Sequence, residues 1–241
     1  MTARSQPALS ALDTRRWKAV TVVARDVTAE SLPGVLAFCR EQTAGFLIAR
    51  CATGDLAAAQ AMERAGFQLM DTLVYFSRDL TRGLPERSNS VAIRDLAAGE
   101  AAAVRQLAAR SFAGYAGHYH ADARLDRRQC DEVYADWAER CCSKEAADTV
   151  LVAADGHAIA GFVGIRLSTL EAEVALFAVA PEAQGRGIGR ALLAGALHWA
   201  AAKHAARVAI STQITNVRSQ RLWTGLGFEP SRSFYTFHKW F

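Results

Sequence analysis

The sequence predicts a mixed α/β fold, an α+β arrangement in which one mixed sheet carries helices on both faces. Strand-like and helix-like segments follow one another without the strict alternation that builds a wholly parallel sheet. A glycine-rich turn, Gln184 to Gly189, separates a strand ended by Pro181 from a long apolar helix. A weak internal repeat then relates the first third of the chain to the last, AMERAGFQL at 61–69 to LWTGLGFEP at 222–230. Composition agrees: the 241 residues are 51% hydrophobic and 22% charged, an ordinary globular balance that excludes disorder. A chain of this length buries a full core without disulfide or metal staples.

Taken in order, GFLIAR (45–50) reads as an apolar strand. The helix around residues 61–65 ends at Gly66-Phe67, and LVYFSRDL (73–80) is an aromatic strand. The run TRGLPERSNS (81–90) is polar, holds Gly and Pro, and lacks periodicity, so it reads as a linker. It divides the chain into an N-terminal segment, 1–80, and a larger segment, 91–241. Beyond it, Val91–Arg94 is a short strand. Ala98–Phe112 is a helix with Val104, Leu107 and Ala108 on one face. Residues 113–128 break that period and read as a loop, and Cys130–Cys142 returns to helix. Thr149–Ala154 and Ala158–Ser168 are strands around the turn signal Asp155-Gly156. Glu173–Val179 is the next strand, Gly187–Lys203 a helix and Arg207–Thr212 a strand. Asn216–Leu226 is a helix with Asn216 as its N-cap, and Phe234–Trp240 is the last strand. In the repeat, each helix ends at Gly-Phe, an aromatic strand follows and an apolar strand precedes. The plainer explanation is that helices commonly end in glycine.

Several function classes are excluded. A net charge of +4, with no basic tail, gives no reason to expect a nucleic-acid or membrane partner. No uncharged apolar run approaches a membrane span, and the first residues lack the apolar centre of a signal peptide. The cysteines are Cys39, Cys51, Cys130, Cys141 and Cys142: an odd count without C-x-x-C spacing, so neither zinc nor a disulfide framework is expected. Free thiols fit a reducing, cytoplasmic setting.

The chemistry-bearing stretch is EVALFAVAPEAQGRGIGRALLAGAL, 173–197. Glycines allow a tight turn and close approach of backbone to ligand. The first N–H groups of the helix lack intrahelical partners, and the helix dipole adds positive potential there. A pyrophosphate suits such a cradle, with Arg186 and Arg190 adding charge. A dinucleotide-binding turn is the competitor, but it requires G-x-G-x-x-G and an acidic residue about 20 residues on. Position 192 is Leu and the residues near 209 are apolar, which excludes that reading.

V-x-P-x-x-Q-G-R-G-I-G-R-A-L-L resembles the acetyl-CoA signature of the GCN5-related N-acetyltransferase (GNAT) superfamily. Asn216, Leu222-Trp223 and Gly227-Phe228 resemble its second motif. The strand and helix order of 91–241 fits that fold, and 1–80 then reads as a partial GNAT-like half-domain. A narrower resemblance, to the acetyltransferases of TDP-fucosamine (TDP-4-amino-4,6-dideoxygalactose), rests on Phe112, Tyr119, Ala121-Asp122, Tyr134 and Trp137 and on the ending SFYTF.

The resemblance implies direct transfer of acetyl from acetyl-CoA to the amine of a nucleotide-linked amino sugar, without metal. The strand 173–179 would splay from its neighbour at a bulge. Backbone groups of Phe177 and Val179 would bind the pantetheine arm. An N–H near Ala178 would stabilise the oxyanion, and Gln184, Gly185, Arg186, Gly187, Ile188, Gly189 and Arg190 would hold the pyrophosphate. Asn216 and Trp223 complete the expected cofactor set. The superfamily's usual acid is a tyrosine at the position of Trp223, and indole is a poor acid. Tyr235 is the nearest substitute by type, with solvent or simple strand packing as alternatives. Asp71, placed after Gly66-Phe67 as in the resembling enzymes, is the expected base; Glu173 is its rival, and either reads otherwise as a solvated carboxylate. His118, Tyr119, His120 and Arg124 are expected to meet the TDP end, or else to form an exposed basic helix start. Tyr134 and Trp137 read as core. A homodimer is the remaining partner expectation, and the alternative functions are acetylation of a peptide N-terminus or small amine and non-catalytic acetyl-CoA binding.

Overall fold

The computed structural model describes residues 6–88, 90–155 and 158–241. The N-terminal segment contributes β1 (Ala8–Leu9), α1 (Ala11–Trp17), β2 (Thr21–Ala24), α2 (Leu32–Glu41), β3 (Phe46–Ala52), α3 (Leu56–Arg64) and β4 (Gln68–Asp79). A short turn of 3₁₀ helix, Leu80–Arg82, opens the expected linker. There follow β5 (Ala92–Asp95), α4 (Ala101–Ser111), α5 (His118–Ala121), α6 (Arg127–Cys142), β6 (Thr149–Asp155), β7 (Ala158–Leu167) and β8 (Glu171–Val179). The chain ends with α7 (Ile188–Ala202), β9 (Arg207–Gln213), α8 (Val217–Thr224) and β10 (Glu229–Trp240).

Local chemistry sets several boundaries. Helix α6 begins three residues before its expected start because the Asp126 carboxylate accepts from the Gln129 N–H. Asn216 caps α8 as expected, its side chain accepting from the Ser219 N–H. The loop expected at 113–128 contains the single turn α5. β6 and β7 pair antiparallel, as a hairpin requires, while the turn signal at Gly156 lies outside the described residues.

The strands form one sheet in the order β1-β2-β3-β10-β4-β9-β8-β7-β6-β5. It is mixed, as expected: β2 and β3 are parallel, as are β8 and β9, and the other neighbours are antiparallel. Along this order neighbouring strands come from opposite sides of residues 81–90 three times. The last strand, β10, lies between β3 and β4, and β4 lies between β10 and β9. Two apolar clusters flank this seam. One gathers Val104, Leu107, Phe162, Ile165, Leu192, Leu193, Leu197 and Phe228. The other gathers Val22, Leu47, Met62 and Phe67 with Phe237 of β10.

Candidate active site

β8 and β9 are paired only at Glu171↔Arg207, Ala172↔Val208 and Glu173↔Ala209. Beyond Glu173 they separate. The cause lies on the other edge of β8, where Gly164 faces Leu176 but Ile165 faces Val174, leaving Ala175 as an extra, bulged residue. The expected splay is therefore present. It opens a cleft of about 590 Å³, lined on one side by Phe177, Ala178 and Val179 and on the other by Gln213, Thr215 and Asn216.

The mouth of the cleft is the glycine-rich turn. Gln184, Gly185, Gly187, Ile188, Gly189 and Arg190 all line it. Gly185 and Gly187 sit at φ 81° and 79°, the left-handed region, and a Cβ at either would meet open space. Glycine is thus required by backbone conformation, and the space in front of it is left for a ligand. Gly189 serves packing instead: a Cβ there would lie 3.2 Å from Leu222 and 3.3 Å from Phe177. Arg190 donates to the Gly225 carbonyl at 3.0 Å, so part of its donor capacity finishes α8. Arg186 is exposed and does not line the cleft. The carbonyl of Val179 accepts from Gln184 Nε2 at 3.2 Å and from Ser111 Oγ at 3.3 Å.

Trp223 is not part of this wall. It is buried, edge-on to Phe76 at 5.5 Å between ring centres, and its indole nitrogen has no partner. The expected cofactor role is corrected to a core role. Tyr235 is corrected likewise. It pairs with Thr72 and Cys51 and packs with Phe237 on the second apolar cluster. Because strand side chains alternate, it faces away from the side of the sheet where Thr236 pairs with Asp71. Glu173 is exposed at the paired base of the splay and does not line the cleft.

Asp71 does not line the cleft itself but is hydrogen-bonded to Gln213, which does. Its Oδ2 accepts from Gln213 Nε2 at 3.3 Å, and its Oδ1 is buried without a partner. Gln213 also accepts, through Oε1, from the hydroxyl of Tyr115, which lies 3.3 Å from Thr212 Oγ1. Asn216 Nδ2 donates to the same Thr212 hydroxyl at 3.0 Å. Tyr115 and Gln213 both line the cleft. Burial raises the Tyr115 phenol above its usual range, against the pull of its hydrogen bond with Thr212, so it stays protonated at neutral pH. Sequence reasoning passed over Tyr115 because nothing local marks it. Its neighbours Thr212 and Gln213 stand about a hundred residues away, at the end of β9.

The loop expected to bind TDP is instead a buried clasp. His118 Nδ1 lies 2.9 Å from His238 Nε2, and His238 Nδ1 lies 2.8 Å from Asp122 Oδ2. Trp240 Nε1 donates to that same oxygen at 2.9 Å, and the Arg124 N–H donates to Asp122 Oδ1 at 3.0 Å. Burial pulls the Asp122 carboxyl upward, but these hydrogen bonds outweigh it and hold the group at about 2. His238 Nδ1–H therefore donates to a carboxylate, and its Nε2 meets His118 Nδ1. Tyr119 donates to Asp13 at 3.2 Å, and His120 Nε2 lies 3.0 Å from Asp131. The Arg124 side chain is exposed and lies over the Trp240 ring at 5.8 Å. None of the four lines the cleft. They join α5 to α1 and β10, which corrects the expected substrate role of His118, Tyr119 and His120. Tyr134 is core as expected, stacked on Phe112 at 4.5 Å, and Trp137 packs beside it.

Burial raises the thiols of Cys39, Cys51, Cys130 and Cys142 to about 11 and of Cys141 to about 12, so none is a thiolate at neutral pH. Among the described residues no cluster of His, Cys, Asp and Glu could hold a metal, and no helix is long and apolar enough to cross a membrane.

Residues 101–228 match the acetyltransferase (GNAT) family. Over 142 residues the chain is 29% identical to the spore coat polysaccharide biosynthesis protein SpsD of Bacillus subtilis, covering 59% of this chain and 48% of SpsD. Over 93 residues it is 28% identical to a putative [ribosomal protein bS18]-alanine N-acetyltransferase of the same organism, covering 37% of this chain and 61% of that protein. The chain thus spans about half of the first curated relative and under two thirds of the second. Among solved structures, a GCN5-related N-acetyltransferase from Sphaerobacter thermophilus superposes with a TM-score of 0.69 at 14% identity, over 99% of this chain and 77% of that one.

Proposed function

The chain belongs to the GNAT acetyltransferase family, and on that premise we propose that it moves acetyl from acetyl-CoA to the amine of a nucleotide-linked amino-deoxy sugar, with TDP as the nucleotide. The observation that carries the transfer reaction is the bulged, splayed β8 opposite β9, with the glycine turn, Tyr115 and Gln213 lining the cleft and Asp71 hydrogen-bonded to Gln213 behind it. The sugar rests on a relative whose name concerns polysaccharide biosynthesis.

The pyrophosphate of CoA lies against the N–H groups of 185–190, and the pantetheine arm takes the place of the missing strand beside Phe177 and Val179. To do so it displaces the Gln184 and Ser111 side chains from the Val179 carbonyl. The lone pair of the neutral acceptor amine attacks the thioester carbon, and as the bond forms the nitrogen gives a proton to the unpartnered oxygen of Asp71, directly or through water. A C–N bond forms as the C–S bond breaks. The oxyanion that develops between these events meets the N–H near Ala178. Tyr115 gives its proton to the departing thiolate, and Asp71 and Tyr115 then exchange protons with solvent. The segment 1–80 acts as a partial GNAT-like domain, joined by 81–90 to the catalytic domain 91–241, and supplies Asp71.

A thiol-release assay with acetyl-CoA tests this against nucleotide-linked amino sugars, free amino sugars and a peptide with N-terminal alanine. Removal of the nucleotide should cut kcat/KM steeply, because remote binding energy orients the amine. Equal turnover of the free sugar rejects the nucleotide, and preferred turnover of the peptide moves the function to the chemistry named for the second relative.

A further inference from the structure

The same face of the sheet that carries Asp71 holds an uncompensated cation. Arg50 on β3 pairs across the sheet with Thr236 on β10, and Thr236 pairs with Asp71 on β4. Gln213 on β9 continues the row. Arg50 is half-buried, and its Nε donates to Thr236 Oγ1 at 3.3 Å. Its two terminal nitrogens have no acceptor among the described residues, and it forms no ion pair with any of them. The charge of Arg50 is felt by His118 and Tyr119 of α5 and Tyr134 of α6, and it helps to keep His118 unprotonated. The nearest carboxylate in the row, Asp71, is occupied on one oxygen by Gln213 and left without a partner on the other. One face therefore presents an unpaired donor fork and an unpaired acceptor, with a fully buried threonine between them.

Holding a guanidinium partly out of water with no counter-ion is unfavourable unless something supplies the anion. A guanidinium fork matches carboxylate and phosphate geometry. We propose that Arg50 binds an anionic group of the acceptor, so that the acceptor is an amine carrying phosphate or carboxylate, its amine at Asp71 and its anion at Arg50. This rests on the acetyl-transfer reading above and adds the charge of the substrate. The spacing narrows the class further. Adjacent strands lie roughly 4.8 Å apart and β10 separates β3 from β4, so Arg50 and Asp71 stand roughly 10 Å apart at the backbone, with both side chains leaning toward β9. An α-amino acid is too short for that span. The 4-amine and 1-phosphate of a pyranose ring stand further apart.

The test begins without turnover. With saturating CoA present to fill the glycine turn, TDP, inorganic pyrophosphate and succinate are titrated into wild type and Arg50→Gln, followed by calorimetry. Wild type should bind a phosphate probe or the dicarboxylate, and the preference between them identifies the source of the anion. Arg50→Gln should weaken that binding by about 10–100-fold, the worth of a charge-assisted hydrogen-bond pair, with Arg50→Lys intermediate. In turnover, the KM for an anionic amine should rise by a similar factor in Arg50→Gln, while KM for its neutral counterpart and the thermal shift produced by CoA stay unchanged. If no nucleotide sugar is acetylated but an amino acid of longer span is, with an Arg50-dependent KM, the anion site stands and the sugar reading falls. No binding of any anion to wild type, or equal binding to Arg50→Gln, overturns the proposal.

Discussion

Tyr115→Phe removes a single oxygen from the inner end of the cleft. The ring keeps its edge contacts with Phe112 at 5.4 Å and Tyr134 at 5.1 Å between centres, so packing survives. What is lost is the hydrogen bond to Gln213 and the contact with Thr212. A net hydrogen bond is worth about 1 kcal/mol, and in a chain of this size that lowers Tm by roughly 2–4 °C. The kinetic cost is larger. General acids contribute about 10²–10⁴-fold. The phenol lies above its usual value near 10, and a thiol leaves with a pKa near 8.5, so proton transfer is uphill and the lower end of that range applies. We expect kcat to fall about 100-fold, about 2.7 kcal/mol in the barrier, with KM for acetyl-CoA unchanged. Initial rates of thiol release between pH 6 and 9.5 provide the measurement. Wild type should show no loss on the alkaline side from this group, because a raised phenol stays protonated throughout. Tyr235→Phe is the companion variant and should leave kcat unaltered, since that ring faces the second apolar cluster. A Tyr115→Phe enzyme within about threefold of wild type, or an equal loss in both variants, refutes the assignment.

Three further outcomes follow from the geometry. Gly187→Glu places a carboxylate where the pyrophosphate is proposed to rest; a non-glycine residue at φ 79° costs roughly 1–2 kcal/mol, so the protein should fold while its thermal shift with CoA vanishes, and a retained shift sinks the site. Burial, then the charges of Arg50 and His238, hold the His118 imidazole well below 6.5. The unfolded chain therefore takes up a proton that the folded one refuses. Stability present above about pH 6.5 is lost as pH falls below it, and His118→Gln should flatten that decline in urea midpoints between pH 7.5 and 5; parallel curves count against it. Trp223→Ala should cost about 3–5 kcal/mol of stability with CoA affinity retained in the folded fraction, and the reverse pattern would return Trp223 to the cofactor wall.

The order of elements was legible because its signals are local. Pro181 stops β8, Asn216 starts α8, and the glycine turn must lie between a strand and a helix to present its N–H groups. The splay was legible only through family resemblance; a bulge at Ala175 leaves no mark in composition. The polar loop 118–120 misled because its character was read without its partners. A histidine and a tyrosine look like ligand contacts until His238 and Asp13 are found satisfying them, and those residues lie more than a hundred positions away. Tyr115 was missed for the same reason in reverse. Seven residues from the end of the period that marks α4, it gains its meaning only where β9 ends. Trp223 was recognised as a departure from the expected tyrosine, and its burial against Phe76 shows what the indole does instead.

The position of β10 also bears on how the protein is made. As the chain leaves the ribosome, β3 and β4 emerge early, yet the strand that separates them is not synthesised until residue 229 and is complete only at residue 240. For most of translation both strands offer open hydrogen-bonding edges, and those edges invite pairing with each other or with a neighbouring nascent chain. The N-terminal segment can collapse around α2 and α3, but it has to leave a slot one strand wide. A chain stopped near residue 228 would lack that strand and His238 together, and so lose the seam and its clasp in a single step. Slow, late closure of the sheet is the expected rate-limiting event, with chaperone dependence in the cell as its outward sign.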